Sequence, residues 1–337
     1  MRVGMLGAAV VALLLCGGGT AYAAGPSPGV LFGGGGTTWG GLRYVALPAP
    51  GGTTLAKIDA ANGSVNSSRT LPGRWGIPLV AVDGSTGGVS AGGRTLVLAQ
   101  PPGARLLPAR SRFAIVDPVG MRLRRVITLE GAFFFDAISP DGRTLYLIQH
   151  TSAQHVFRYT VRSYDLRTGR LGRRAIVDKS ELNERMAGYP LSRATSADGV
   201  WAYTLYQKPH GSMFVHALNT RTATAHCVNI PPLSQSEPLT LSLSGARLDV
   251  VASGKVLASM DTRTFRVRAG HALPPPAASR EAHPTAAAGA GDSQVVVLAL
   301  TAVGVVVAGA FAAVLVRRRS RTAARSGGAG AGAPSAP

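Results

Sequence analysis

A tight turn followed by a run of β-forming residues recurs four times in the middle of this chain, and this repeat restricts the fold more than any other feature. The turns end at Gly93, Gly142, Gly199 and Gly245, which are 49, 57 and 46 residues apart. In the clearest copy, Ser139-Pro140-Asp141-Gly142, proline sets φ at the second position and glycine tolerates a positive φ at the fourth. We predict that each turn joins two short antiparallel strands.

A second marker follows the first at a regular distance. An apolar residue is followed by Asp or Asn where a further strand is predicted to end, at Ile58-Asp59, Val116-Asp117, Tyr164-Asp165, Leu218-Asn219 and Met260-Asp261. Another β-forming run comes next, for example Leu171–Val177. Each unit therefore contains four predicted strands at a period near 50, which is typical of β-propeller blades.

The fold class predicted from these units is an all-β propeller of about five four-stranded blades. Residues 42–270 contain five units, of which the first lacks a clear innermost strand. The glycine-rich segment 24–41 precedes it, and its part Val30–Gly41 either supplies that strand or pairs with the last blade. A count of six blades therefore stays open.

The repeat also carries a family resemblance. The run Ile138–Leu147, ISPDGRTLYL, with the trailing motif Tyr164–Gly169, resembles the bacterial YVTN and WD40-like β-propeller repeats over roughly residues 40–270. The resemblance implies a propeller with a central channel and with loops above and below it. It implies no particular chemistry, because the motif residues belong to turns and strands.

An apolar segment lies near each end of the chain. Residues 1–23 have the pattern of a cleaved signal peptide, with a short apolar core and an Ala-Tyr-Ala ending. Residues 295–316 are 22 uncharged residues followed by a cluster of arginines, which predicts a transmembrane helix with its C-terminal end in the cytoplasm. The sequence thus predicts a type I single-pass protein of the cell membrane, with a Pro/Ala/Gly stalk at 271–292 and a basic, disordered cytoplasmic tail at 317–337.

The predicted exported part is strongly basic. Residues 24–292 carry 29 basic and 16 acidic side chains, a net charge of +13. Such a surface attracts anionic cell-envelope polymers, lipid headgroups or another envelope protein by long-range electrostatics. An arginine-rich coding habit would produce the same composition without such a partner. Nucleic acid is not an expected partner, because the compartment is wrong and no aromatic-interleaved basic motif occurs.

The sequence contains no recognisable catalytic or metal-binding motif. His210, His216, His226 and Cys227 are close in sequence, but their spacing matches no compact zinc pattern, so we expect no metal and no cofactor. Cys227, the one cysteine left after signal removal, is expected to be a small buried apolar residue. The segment Asp178–Met186 is expected to form a short helix.

One pair of residues is predicted to lie in the channel. Asp136 and Arg193 occupy equivalent positions, six residues before Gly142 and Gly199, in the innermost strands of adjacent units. Because innermost strands surround a propeller channel, the two charges could meet there. They are a structural ion pair, a solvated part of the channel rim, or part of a ligand-binding site.

The leading function predicted from the sequence is a cell-surface binding or scaffold module. The alternative is an enzyme that uses the channel, such as a lactonase-like hydrolase or a quinoprotein-type oxidoreductase. A lactonase would need a cluster of acidic and amide side chains at the inner strands. A quinoprotein would need stacking tryptophans, whereas Trp39, Trp75 and Trp201 are not repeat-equivalent.

Overall fold

The computed structural model describes residues 20–24, 27–33, 35–103, 107–180, 186–209, 211–233 and 237–270, and these form an all-β structure. In chain order the strands are β1 (Thr20–Ala24), β2 (Ser27–Phe32), β3 (Thr37–Trp39), β4 (Leu42–Ala49), β5 (Gly52–Asp59), β6 (Val65–Pro72), β7 (Ile77–Pro78), β8 (Leu96–Ala99), β9 (Arg110–Asp117), β10 (Arg122–Glu130), β11 (Ala132–Ile138), β12 (Thr144–His150), β13 (Thr160–Asp165), β14 (Arg170–Leu171), β15 (Tyr189–Thr195), β16 (Trp201–Gln207), β17 (Met213–Asn219), β18 (Thr224–Ile230), β19 (Thr240–Ser244), β20 (Arg247–Ala252), β21 (Lys255–Asp261) and β22 (Val267–Ala269).

Four of the sheets are antiparallel meanders of four strands each. They are β3–β6, β11–β14, β15–β18 and β19–β22, and each pairs its strands in sequence order. A three-stranded sheet, β8–β10, gains a short inner segment, since Val89 bridges to Leu96 and the amide of Val97 donates to the carbonyl of Gly88 at 2.8 Å. The prediction of several units of four short strands is therefore confirmed.

The innermost strand of the first meander lies within the glycine-rich segment. β3 pairs with β4, so the first of the two predicted alternatives for Val30–Gly41 holds for its C-terminal part. The N-terminal part behaves differently, because β2 pairs with β1 on one side and with β7 on the other. The predicted boundary between the glycine-rich segment and the propeller, at residue 41, therefore falls inside the first meander, between β3 and β4.

The four predicted turn glycines adopt the left-handed conformation. Gly93, Gly142, Gly199 and Gly245 have φ values of 64°, 71°, 69° and 57°. In three of the turns a serine begins the turn and its hydroxyl accepts hydrogen bonds from the backbone after the glycine. Ser139 Oγ, for example, accepts from the amides of Arg143 at 3.2 Å and Thr144 at 2.9 Å.

The second sequence marker, the Asp or Asn after an apolar residue, caps the turn that follows the third strand of a unit. Asp165 Oδ1 accepts from the amides of Arg167 and Thr168 at 2.7 and 3.0 Å, and this fixes the turn before β14. The same two bonds, to the second and third following amides, form at Asp59, Asn219 and Asp261. Short side chains with such local bonds favour turns over continued strands.

The predicted strand Leu171–Val177 is longer than the strand that the structure contains. β14 contains only Arg170 and Leu171, and Ile176 forms an isolated bridge to Val161. The strand stops because the Gly172 carbonyl accepts a hydrogen bond from a side chain instead of from the neighbouring strand. The donor is Nε of the Arg162 guanidinium, at 2.7 Å.

The hydrophobic core lies between consecutive sheets. One cluster of buried side chains joins β2 and β7 to the sheets β3–β6, β8–β10 and β11–β14. A second fills the space between β11–β14 and β15–β18, and a third lies between β15–β18 and β19–β22. Hydrogen bonds also link each sheet to the next: Trp39 Nε1 donates to the Ala91 carbonyl at 2.7 Å, and Thr95 Oγ1 to the Gly142 carbonyl at 3.0 Å. The sheets therefore pack in the order in which they occur in the chain.

Several predicted segments lie outside the described residues. They are residues 1–19 of the signal peptide, residues 181–185 of the expected short helix, and the stalk, transmembrane helix and tail from residue 271 onward. Thr20–Ala23, the end of the predicted signal peptide, form most of β1. Within the described ranges, no helix has the length and apolar composition needed to cross a membrane.

Candidate functional site: a polar cavity at the inner strands

A cavity of about 610 Å³ lies where the innermost segments of four consecutive sheets meet. Its wall contains the β3–β4 turn with Trp39, the segment 86–89 beside β8, residues 135–138 of β11 and the β15–β16 turn around Ser196. These are the parts of each unit that the repeat places innermost. The cavity therefore lies among the innermost segments of these four sheets, whereas a central channel stays a prediction.

The Asp136–Arg193 pair lies in the wall of this cavity. Arg193 Nη1 donates to the backbone carbonyl of Asp136 at 3.0 Å, and Nη2 forms an ion pair with Oδ1 of its carboxylate. The Asp136 and Arg193 side chains are 2% and 5% exposed, respectively. The prediction that these two residues approach each other is confirmed, whereas a role in ligand binding stays a prediction.

A β-bulge explains why Asp136 turns toward the next sheet. In the pairing of β11 with β12, Phe135 is opposite Leu147 and Ala137 is opposite Tyr146, so Asp136 is the extra residue. A bulged residue leaves the regular ladder and its side chain is re-aimed. The carbonyl of Asp136 is then available to accept the hydrogen bond from Arg193.

The pair leaves two buried polar atoms without partners. Within the described part of the chain, neither Asp136 Oδ2 nor Arg193 Nε has a hydrogen-bond partner. Buried polar atoms of charged groups are costly to leave unsatisfied, so such atoms point to a bound water or ligand group. Both residues line the cavity.

Arg193 begins a row of polar side chains that crosses the sheet β15–β18. Arg193 is opposite Thr204, Thr204 is opposite His216, and His216 is opposite Cys227. Directly opposed residues lie on the same face of a sheet, so the row faces the sheet β11–β14, as Arg193 does. His216 Nδ1 lies 3.7 Å from Cys227 Sγ.

Burial controls the charge of the histidine in this row. His216 is 1% exposed, and removal from water lowers its pKa to about 4, against the attraction of Asp136. The imidazole is therefore neutral at physiological pH. Its Nε2 atom and the hydroxyl of Thr204 have no hydrogen-bond partner among the described residues.

The other residues of the predicted histidine group do not join His216. His226 is opposite Ala217 and so lies on the other face of the sheet, where its ring packs 4.4 Å from Phe265. His210 lies outside the described residues. Across the described ranges, no group of three or more His, Cys, Asp and Glu side chains is arranged to hold a metal ion.

Cys227 differs from its prediction. It is half-buried rather than buried, and its backbone amide donates to Asp178 Oδ2 at 2.7 Å. Its place on β18, the outermost strand of the four-stranded sheet, explains this exposure, since beyond β18 the described chain forms an isolated bridge, Asp178 to Ala225, instead of a further strand. The polar row was not predicted, and the alternation in the strand sequences is too weak to have revealed it.

No protein-family model matches the chain, and comparison with curated proteins finds no similar one. Among solved structures, the chain is similar to TolB from Acinetobacter baumannii, with 16% identity and a TM-score of 0.38 over 69% of this chain and 53% of TolB. A puromycin hydrolase S511A mutant complexed with PGG has 18% identity and a TM-score of 0.39, over 71% of this chain and 39% of the hydrolase.

The Cps50 (Swd1) beta-propeller domain of Myceliophteria thermophila has 14% identity and a TM-score of 0.40, over 74% of this chain and 73% of that domain. The chain thus spans about half of TolB and less than half of the hydrolase. Similarity at this level assigns neither a family nor an activity.

The arrangement is chemically suited to binding a small polar ligand. The cavity combines a buried charge pair, hydroxyl groups and the edge of an indole ring, Trp39. Its volume falls within the range of small-molecule sites, which are about 300–1,000 Å³.

Proposed function

We propose that this chain is an exported β-propeller of five blades, anchored by one C-terminal helix, that binds a small polar ligand in its central cavity. The blades would be β3–β6, the segment 88–90 with β8–β10, β11–β14, β15–β18 and β19–β22. Sequential packing of antiparallel meanders supports the propeller, and the turn repeat supports its period.

The observation that carries the binding proposal is the buried Asp136–Arg193 pair in the cavity wall. It presents one unpartnered acceptor and one unpartnered donor among the described residues. A ligand with adjacent donor and acceptor groups, such as an amide or a vicinal diol, would satisfy both atoms. Hydrogen bonds to charged partners contribute about 1.5–3 kcal/mol each, which is enough to fix the orientation of a small molecule.

The test is ligand retention by the full-length protein purified from its native membrane. Thr195 is an exposed residue of the cavity wall, so Thr195→Trp should occlude the cavity without disturbing the core. Ser68→Trp, at an exposed position on β6, is the matched control. Mass spectrometry of released small molecules should find a compound with the wild type and with Ser68→Trp that is lost with Thr195→Trp. Retention of the same compounds by all three proteins would contradict the proposal.

The membrane location is supported by the sequence pattern of residues 1–23 and 295–316. The positive-inside rule and the signal peptide independently predict the same orientation.

A further inference from the structure

We propose that a second site, the groove between β14 and the β17–β18 turn, binds a linear polyanion that carries repeated phosphate or carboxylate groups. This site is separate from the central cavity. We define the arginine groove by Arg170, Arg173 and Arg221, which line an open depression of about 990 Å³ together with hydroxyl-bearing residues.

The three arginines are exposed, and within the described part of the chain none of them forms an ion pair. Two acidic groups lie near them. Asp165 itself lines the groove, and its Oδ1 atom accepts from the amides of Arg167 and Thr168. Asp198, whose pKa is lowered first by its bond from Ser196 and also by Arg221, bonds to its own turn. The guanidinium groups therefore keep their donors available.

Guanidinium groups favour phosphate and carboxylate, because their planar donors match two oxygen atoms at once. Hydroxyls of Ser163 and Thr168 line the same groove and can add neutral hydrogen bonds to an anion. The chemistry of the lining thus selects for anionic oxygen rather than for an apolar partner.

The shape of the groove favours a chain over a single ion or a flat bilayer. Its volume lies at the upper end of the range for small-molecule sites, about 300–1,000 Å³, which is far more than one phosphate requires. Tyr146, which lines this open groove, is 1% exposed, so a planar membrane surface would reach the exposed arginines but not the tyrosine. A flexible linear polymer can follow the groove and place successive charges on the three arginines.

The position of the groove is also suitable for an extended partner. The turns β11–β12 and β13–β14 lie at the same end of their meander, so the groove opens on the same end of the sheets as the mouth of the central cavity. A contact between Tyr146 and Thr220 separates the two sites, with the tyrosine hydroxyl donating to the Thr220 carbonyl at 2.8 Å.

The test uses the full-length protein in detergent and long-chain inorganic polyphosphate as the probe. The groove variant is R170Q/R173Q/R221Q, and the matched control is R69Q/R122Q/R263Q, which removes the same charge from exposed positions on other sheets. We expect the groove variant to weaken polyphosphate binding by about tenfold or more and to reduce its salt dependence, while the control changes affinity by less than about threefold.

Three results would overturn the proposal. Equal losses in the two triple variants would mean that only net charge matters. Binding to phosphatidylglycerol vesicles without binding to polyphosphate would identify a bilayer as the partner. Competition by orthophosphate at the same phosphate concentration would indicate a site for a single ion.

Equal thermal midpoints of the three proteins establish that they are equally folded. If the groove variant is less stable than the wild type, R173Q alone is compared with R122Q.

Discussion

Arg193 binds both the carboxylate and the backbone carbonyl of Asp136, a residue 57 positions earlier in the chain and in the neighbouring sheet. The contact exists because the bulge at Asp136 frees its carbonyl from the β-ladder. One side chain thus joins two sheets at the wall of the central cavity. The contribution of the Arg193–Asp136 contact to folding can be measured separately from its proposed role in ligand binding, through the unfolding free energies of variants.

Removing one partner of this pair should be strongly destabilising. Asp136→Ala or Arg193→Ala would leave an uncompensated buried charge and should cost about 3–5 kcal/mol of unfolding free energy. The double variant Asp136→Ala/Arg193→Ala should lose less than the sum of the two. Denaturant unfolding of residues 24–272 measures all three.

The surface pair Arg110–Glu130, with side chains 69% and 76% exposed, is the control for this cycle. Breaking it should cost less than about 1 kcal/mol, because water screens both charges. Strictly additive losses at Asp136 and Arg193 would show that the two side chains are not energetically coupled.

Equivalent turn glycines should differ in their tolerance of alanine. Gly142→Ala would place a Cβ atom 2.5 Å from Thr95 Oγ1, in the neighbouring sheet, whereas at Gly245 nothing lies within 4 Å. Both substitutions carry the backbone cost of a positive φ, about 1 kcal/mol. Gly142→Ala should cost clearly more, because the collision also disturbs the bond from Thr95 to the Gly142 carbonyl. Thermal unfolding of the two variants ranks them, and an equal loss would contradict the sheet-to-sheet packing.

Stability should fall in mild acid because of two buried histidines. Burial lowers the pKa of both His150 and His216 from 6.5 to about 4. Between these values the unfolded chain binds protons that the folded chain does not, so the unfolding free energy decreases as the pH falls from about 6.5 toward 4. Each histidine contributes at most about 3 kcal/mol to this loss.

Urea midpoints between pH 7 and pH 4.5 measure this dependence. The variant His150→Phe/His216→Phe should have a shallower pH dependence over this range than the wild type. The same slope in both proteins would mean that the acid sensitivity has another source.

Tyr146→Phe should weaken the contact between the sheets β11–β14 and β15–β18. Its hydroxyl is the donor to the buried carbonyl of Thr220, and burial raises the pKa of Tyr146 to about 12. Loss of the donor should cost about 1–3 kcal/mol. Tyr164→Phe is the control, since its hydroxyl has no hydrogen bond to another described residue. Equal effects of the two variants on the denaturation midpoint would argue against the bond.

The membrane orientation can be tested on intact protoplasts. Protease added outside should digest residues 24–292 and leave intact a tag attached after Pro337, because the positive-inside rule predicts that the arginines after residue 316 stay in the cytoplasm. Cleavage of the tag in unbroken cells would reverse the proposed topology.

The sequence alone determined the features of this protein that depend on local chemistry. A serine, a glycine and the following amides form a turn within about five residues of each other, so the turn motifs predicted both the strands and their period. The same register placed Asp136 and Arg193 in equivalent positions. The local geometry of the two residues nevertheless differs, because Asp136 is the bulged residue of β11 whereas Arg193 pairs regularly with Thr204 in β15.

Only the tertiary structure decided which side chains meet across strands and sheets. The row from Arg193 through Thr204 and His216 to Cys227 depends on the pairing of four strands, and a shift of one residue would reverse its face. The arginine groove likewise joins Arg173 with Arg221, which are distant in sequence. Such contacts depend on strand register and sheet packing, which are set by the summed burial of many side chains and leave no short motif in the sequence.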